Sequence, residues 1–430
     1  MKVLFITMDS LEINCSANIR NRGLIYGLLA LEHKVDTCSL EKSKESVCYD
    51  ESVTQLDDML NCRFFVSPNP WYERFRTKKK ISGLSENDCI DKKMAAHTGQ
   101  LKQWCKAQVK NVVSAFSLYD MQKINVRQIK NLKIDVNAYD VILSSSDPKS
   151  AHLFAYELWK RTGGRIPWVQ YWGDPMYDDI TSKSRFLKKI RLKREERRLL
   201  KKAAVVVYTS PFTLKKQQQL YPNEKSKMCY TVQACTGAED TAVSGEDTEN
   251  KTSITIGYFG DYSSRVRSLS ALFQAADSLK MHLVVCGNGD HKLESSFIEY
   301  YPRLDVKELR KVEDKTDIIV CVCNRRGTQI PGKIYYESGC QKPIIVIVDG
   351  ENQEQMRKFF HSFDRYIVCE NSVQAVQDAV RQAVEEIKQG KHYVVPVDMQ
   401  PVTVADKILK KLDEKKNDER KVQLHGDDSN

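Results

Sequence analysis

Gly327-Thr328-Gln329-Ile330-Pro331-Gly332-Lys333-Ile334-Tyr335-Tyr336-Glu337, followed by Gly339 and by Gln341-Lys342-Pro343-Ile344-Ile345, is the stretch whose reading decides the fold. Pro331 suits the first turn of a helix, where its missing N–H costs no hydrogen bond. The segment therefore predicts a helix near Gly332–Gly339 that ends in glycine. An apolar run, Asp317–Val322, precedes it and another, Pro343–Val348, follows. Short apolar runs separated by helices are the pattern of strands buried on both faces of a parallel, doubly wound α/β sheet.

The same alternation extends in both directions. After the 317–322 and 343–348 strands comes Arg365–Cys369, and before them lie Thr255–Phe259 and His282–Cys286, with helices near Ser268–Leu279, Val306–Val312 and Ser372–Lys388. A second series occupies the first half of the chain, with strands at Val3–Thr7, Lys34–Cys38, Val141–Ser144, Trp168–Tyr171 and Ala204–Tyr208. Helices at Ala17–Leu31, Ser150–Thr162 and Lys183–Lys202 lie between them. Residues from about 50 to 135 break this rhythm. They read as an insertion with a basic Arg74–Lys80 patch and helices around Met94–Phe116 and Tyr119–Asn131. The polar run Thr236–Ser253 has no periodicity and reads as a linker. The expected organisation is thus two Rossmann-like domains, 1–235 and 254–398, facing each other across a cleft. A helix at 399–413 and a charged tail, 414–430, expected to be disordered, complete the chain.

A chain of 430 residues is too long for one ordinary core. No stretch of about 18 apolar residues occurs, and the opening Met1–Thr7 run is too short for a secretory signal. The 13 cysteines are scattered without a CxxC pair, so the reading is a reducing cytoplasmic setting with no zinc and no disulfide framework. Net charge is +10, of which +9 comes from Lys183–Lys202, with eleven Lys or Arg against two Glu. One basic helix on a balanced chain, without interleaved aromatics, argues against nucleic acid. Phe186, Leu187, Ile190, Leu199 and Leu200 lie among those cations, a composition suited to a helix resting on an anionic membrane surface.

Ligands of open α/β sheets bind at the carboxyl ends of the strands. Three motifs fall there. Ile256-Gly257-Tyr258-Phe259-Gly260-Asp261 runs into a glycine turn with Arg265 and Arg267 behind it, residues suited to phosphate. Cys286-Gly287-Asn288-Gly289-Asp290 is a weaker signal, because it lacks the third glycine and the later acid of a dinucleotide fingerprint. The 327–337 stretch adds free N–H groups at a helix start, Lys333 as a cation, and Glu337 as an acceptor for ribose hydroxyls.

Gln329-Ile330-Pro331-Gly332-Lys333-Ile334-Tyr335 to Glu337, with Lys342-Pro343-Ile344, resembles the nucleotide-sugar motif of glycosyltransferase family 4-like enzymes of the GT-B fold, the type that builds bacterial polysaccharides and glycans. Arg20–Leu24 with His33-Lys34-Val35, Asp140–Ser144 with Asp147-Pro148, Pro167-Trp168-Val169 with Gly173-Asp174-Pro175, and Glu196–Ser210 are similar to further family segments, in the family's order. The resemblance implies a retaining transferase. It would move a sugar from a nucleotide-diphosphate donor to a glycan or lipid-linked acceptor, with no cofactor and no metal. It places Arg267, with Arg265 as alternate, and Lys333 against the diphosphate. Glu337 falls on the ribose, and Gly260, Gly287, Thr328, Ile330, Pro331 and Gly332 surround the donor. The family's first motif acid is replaced by Gln329, which can bind a sugar hydroxyl but carries no charge. That replacement leaves a non-catalytic scaffold or regulatory subunit as the alternative, and a sugar-nucleotide epimerase as a third reading. Asp174 and His152 are the candidates for an acceptor base, each better suited to a structural role.

Overall fold

The computed structural model describes residues 1–41, 49, 56, 58–73, 117–179, 186–236, 254–304 and 306–427. The Arg74–Lys80 patch, the expected Met94–Phe116 helix and nearly all of the 236–253 linker lie outside them.

Two sheets carry the fold. The first contains β1 (Lys2–Ile6), β2 (Lys34–Leu40), β3 (Cys62–Val66), β4 (Val141–Ser145), β5 (Trp168–Trp172), β6 (Val205–Tyr208) and β7 (Met228–Tyr230) in the order β3-β2-β1-β4-β5-β6-β7. The pairs from β3 across to β5 are parallel. The second contains β8 (Thr255–Phe259), β9 (His282–Cys286), β10 (Ile298–Tyr301), β11 (Ile318–Val322), β12 (Ile344–Val348) and β13 (Tyr366–Glu370), ordered β10-β9-β8-β11-β12-β13 and parallel throughout. Each order reverses beside its first strand, between β1 and β4 and between β8 and β11, which is the doubly wound pattern with a topological switch point.

The helices are α1 (Ser16–Ala30), α2 (Ala151–Arg161), α3 (Phe186–Lys202), α4 (Pro211–Leu220), α5 (Ser270–Leu279), α6 (Val306–Asp314), α7 (Lys333–Tyr336), α8 (Gln353–His361), α9 (Val373–Lys388) and α10 (Pro401–Asp427). β11 and β12 are buried along their whole length, as the apolar runs Ile318–Val322 and Ile344–Val348 require. On α9, Val376, Ala379, Val380 and Ala383 repeat at helical spacing and pack with Leu272, Ala275 and Ala276 of α5 over Ile345 and Ile347.

The chain divides into two compact units. One is Met1–Ser10, Lys34–Ser43 and Leu60–Val206; the other is Leu11–His33, Lys44–Met59 and Val207–Asn430. Within the second, α1 packs along α10. Glycine permits this approach: a Cβ on Gly27 would lie 2.0 Å from the Pro401 carbonyl oxygen, and one on Gly23 would lie 2.8 Å from the Ala234 Cβ.

Several elements differ from expectation. The 119–131 helix is a 3₁₀ segment, Met121–Asn131, whose start is capped by the Asp120 carboxylate accepting from the Gln122 N–H. Spacing alone does not separate i+3 from i+4 bonding. The strands β3, β7 and β10 and the helices α4 and α8 are additional. The strands are short and lie at or next to sheet margins, where apolar patterning is weakest. The charged tail is not a break in structure: α10 continues through Asp427. Val404, Ala405, Ile408, Leu409 and Leu412 bury its first turns, and i,i+4 and i,i+3 pairs such as Lys410–Asp406 (2.7 Å) and Lys411–Glu414 (3.0 Å) carry a run of good helix formers onward.

An exposed helical glycine replaced by alanine gains up to about 1 kcal/mol. Gly27→Ala is expected instead to lose about 1–3 kcal/mol, because α1 and Pro401 must move apart. Urea unfolding of the variant checks this, and an unchanged or raised midpoint would contradict the α1–α10 packing.

Candidate functional site

The loops leaving β8 and β11 meet at the switch point of the second sheet. After β8 the chain turns at Gly260, whose N–H donates to the Cys286 carbonyl at 2.8 Å. Gly287, at φ +149°, faces it so closely that a Cβ would lie 2.1 Å from the Gly260 oxygen. A Cβ on Gly289 would fall 2.0 Å from the Tyr262 ring. The glycines of the Gly287-Asn288-Gly289 turn are therefore required by packing against the neighbouring turn, whatever else they do. The β8 loop is closed further on, where Asp290 accepts from the Ser264 N–H at 2.9 Å and Asp261 accepts from the Asn288 N–H at 3.0 Å.

Arg267 ends this loop. Its Nε donates to the Asn324 Oδ1 at 2.8 Å and its Nη1 approaches the Asp261 carbonyl at 3.4 Å. Among the described residues it forms no ion pair, so its charge is left to whatever approaches the strand ends. Arg265 is exposed on the same loop. Asn324 belongs to the β11 loop and is buried at 3% exposure. Its Nδ2 donates to the Gln329 carbonyl at 3.1 Å. One carboxamide thus ties the arginine of one loop to the motif of the other.

The motif is pinned from its far side as well. Ser210 Oγ and Thr213 Oγ1 donate to the Thr328 carbonyl at 2.9 and 3.1 Å, and the hydroxyls of Thr213 and Thr328 lie 3.0 Å apart. Ser210 also caps α4, accepting from the N–H groups of Phe212 and Thr213. A Cβ on Gly332 would come within 2.6 Å of the Ser16 Oγ and 2.9 Å of the Gln233 Oε1, so these two polar groups press on the backbone where α7 opens. Ile330 is buried and Pro331 half-buried. Gln329 is only 6% exposed, yet neither its Oε1 nor its Nε2 has a hydrogen-bond partner. Native side chains rarely leave a buried amide unsatisfied, so a water or another polar group is expected to complete this one.

Lys333 and Glu337 adjoin one another in an arrangement that spacing did not foretell. α7 is a single α-turn, continued by a 3₁₀ turn at Glu337–Gly339, so its dipole is that of a few N–H groups and not of a long helix. The Lys333 Nζ lies 2.8 Å from Glu313 of α6 and 3.1 Å from Glu337, and 4.9 Å from the centroid of the Phe259 ring. Burial works against the ammonium, but Glu337, then Tyr336 and Glu313, outweigh it and hold the lysine well above its ordinary pKa. Burial pushes the Glu313 carboxyl upward against the pull of Lys333. Lys333 lies between the two carboxylates, and the Lys342 ammonium, donating to the Glu313 carbonyl at 2.6 Å, acts on them as well. Burial also pushes the Tyr258 hydroxyl up to about 12, against the charges of both Arg267 and Lys333, which pull it down. The two cations therefore share one end of the sheet.

Asp174 follows β5 in the other unit, half-buried, where its charge helps to hold up the pKa of Lys149. That lysine also pairs with Asp147 at 3.1 Å and Asp179 at 2.7 Å. His152 is fully buried, with its Nδ1 2.8 Å from the Ser144 Oγ and its ring 4.0 Å from that of Trp172.

Sequence reasoning missed Asn324, Ser210, Thr213, Ser16, Gln233 and Glu313. Ser210-Pro211 is a readable helix start, with a capping hydroxyl before a proline. The others have no local signature, because their partners lie far along the chain.

No family model matches the chain, and no curated protein matches it. Solved structures do resemble it in architecture. A glycosyltransferase from Rickettsia africae ESF-5 is 12% identical, with 96% of this chain and 93% of that one covered at a TM-score of 0.48. An E. coli trehalose-6-phosphate structure bound with UDP-2-fluoro glucose is 10% identical, with 97% of each chain covered at 0.48. A putative UDP-N-acetylglucosamine 2-epimerase from Listeria monocytogenes is 11% identical, with 96% and 95% covered at 0.44. Likenesses this distant fix no activity.

Lys333→Met leaves two half-buried carboxylates without the cation between them, and is expected to cost about 1–3 kcal/mol at neutral pH. Glu313, which burial already pushes upward, then lies further above its unfolded value, so the native variant binds a proton there more readily than the unfolded chain. The deficit should shrink as pH falls from about 7 toward 5. Parallel denaturation of wild type and variant across that range measures it; a deficit that is constant or grows on acidification contradicts the cluster.

Proposed function

We propose that the chain is a glycosyltransferase that takes its sugar from a nucleotide-diphosphate donor held at the switch point of the second sheet. One observation carries the reading. Arg267 and Gln329, the first without an ion-pair partner and the second with its amide unsatisfied among the described residues, are joined through Asn324 at the carboxyl edge between β8 and β11. An arginine there fits the paired oxygens of a diphosphate. Loss of the sugar builds charge on that leaving group, and fixed cations and N–H groups aimed at it can supply the largest share of the rate. Gln329 offers both a donor and an acceptor to a sugar hydroxyl. Glu337 is the carboxylate for the ribose, and Lys333 reaches phosphate only by exchanging a carboxylate for it. Retention of configuration follows from the motif resemblance, and no metal or cofactor is called for. Asp174 remains the candidate base on the acceptor side.

The uncharged Gln329 favours one rival, a chain that binds the donor without transferring sugar. Calorimetry with UDP and GDP, followed by release of sugar from UDP- and GDP-sugars, separates the two. Saturable binding that Arg267→Ala weakens about tenfold or more, together with sugar release, is the expected result. Binding without release supports the scaffold, and no binding of either nucleotide removes both.

The proposal extends to a glycan or lipid-linked acceptor reached at an anionic membrane surface. α3 supports it by exposing Phe186 (76%) and Leu187 (73%) beside the exposed Lys189, Arg194 and Arg197, while Leu192, Leu199 and Leu200 face inward. Among the described residues no helix is long and apolar enough to cross a membrane. Flotation with phosphatidylglycerol vesicles should carry the protein, and Phe186→Asp with Leu187→Asp should abolish it. Equal flotation with neutral phosphatidylcholine, or none with either, contradicts surface docking.

A further inference from the structure

At the amino edge of the second sheet, one strand length from the switch point or roughly 15 Å, a cavity of about 220 Å³ opens beside the start of β13. Arg365, His361, Asp364, Gln382, Glu386 and Lys391 are among its lining residues.

Arg365 is only 3% exposed. Its Nε donates to the Ser338 carbonyl at 3.0 Å, and its Nη2 to those of Cys340 and Lys342 at 2.8 and 3.1 Å. The guanidinium lies 4.7 Å from the centroid of the Tyr393 ring. Its Nη1 has no hydrogen-bond partner. All its acceptors are neutral, three carbonyls and the Cys340 Sγ at 3.7 Å, and among the described residues it makes no ion pair. The acids of the cavity do not answer it. Glu386 is taken up by Lys391 at 3.1 Å, by the Tyr393 hydroxyl at 2.8 Å and by the Gln382 amide at 3.0 Å. Asp364 is exposed at the rim. A guanidinium buried without a countercharge is costly unless an anion joins it, and Nη1 is the donor left for one.

We propose that this cavity binds a compact oxyanion, a phosphate or a small carboxylate, with Arg365 as the anchoring charge and His361 and Lys391 at the mouth. The volume admits such a group, and the site lies at the opposite edge of the sheet from the switch point. Strand β13 begins at the next residue, and Ser338, Cys340 and Lys342 lie on the connection from α7 to β12. Occupancy would therefore stiffen the connection that follows the Gln329–Glu337 motif.

Inorganic phosphate and, separately, acetate are titrated into the full chain at constant ionic strength with chloride. Binding is followed by calorimetry and by the His361 imidazole resonance. Saturable movement of that resonance by either anion is expected, with Arg365→Gln weakening the binding about tenfold or more. His361→Glu places a negative charge at the mouth without touching the core. It should weaken binding severalfold while keeping the anion-free thermal midpoint, and it decides the matter if Arg365→Gln does not fold. No saturable movement with either anion overturns the proposal. Wild-type affinity in His361→Glu overturns it too, since the phosphate would then sit elsewhere, Arg267 being the obvious place.

Discussion

The candidate site depends on the Asn324 carboxamide. At a switch point the chain leaves one strand toward one face of the sheet and the next toward the other, which opens a crevice between the two loops. Something must fix the distance across it. Asn324 does so from a buried position, accepting from Arg267 on the β8 side and donating to the Gln329 carbonyl on the β11 side. A carboxylate could take the arginine but could not donate, and would neutralise the charge that makes Arg267 useful. A lysine could donate but would repel the guanidinium. An amide satisfies both demands without altering the charge.

The cations at this edge are held in opposite ways. Arg267 is oriented by neutral oxygens and keeps its charge. Lys333 is enclosed by Glu313 and Glu337 and sits on an aromatic ring. In the region of partial burial these ion pairs are worth more than surface pairs, because water does not screen them fully. An anion arriving at Lys333 must compete with two carboxylates already in place, whereas one arriving at Arg267 displaces only weak contacts. An anion reaching this edge therefore meets less competition at the arginine than at the lysine.

The second unit is also held together by close backbone approach. Gly23 and Gly27 give α1 a face without side chains, and the Ala234 and Pro401 backbones lie against it. Ser16 at the start of the same helix and Gln233 beside Ala234 are the groups that press on Gly332. The packing of α1 and the position of the motif are thus mechanically linked, and a change at the glycines is felt at the loop that carries Gln329.

Apolar periodicity was enough to determine two doubly wound parallel sheets and to place ten of the strands close to their observed spans, because a strand buried on both faces must be apolar along its whole length. Proline, glycine and charge at fixed offsets from a strand end, which are local properties, pointed to Arg265, Arg267, Lys333 and Glu337, and the family resemblance added Gln329. Short marginal strands such as Met228–Tyr230 escaped, having few buried positions to impose a pattern. The tail beyond residue 413 was misread because charge was weighed above helix propensity. What tertiary structure alone decided is how the charges are partnered. Glu313 reaches Lys333 from another helix, Asn324 reaches Arg267 across 57 residues, and Arg365 is buried against the carbonyls of Ser338, Cys340 and Lys342. A hydrogen bond or an ion pair depends on distance in space, and separation along the chain holds no information about it until the sheet has set which loops adjoin.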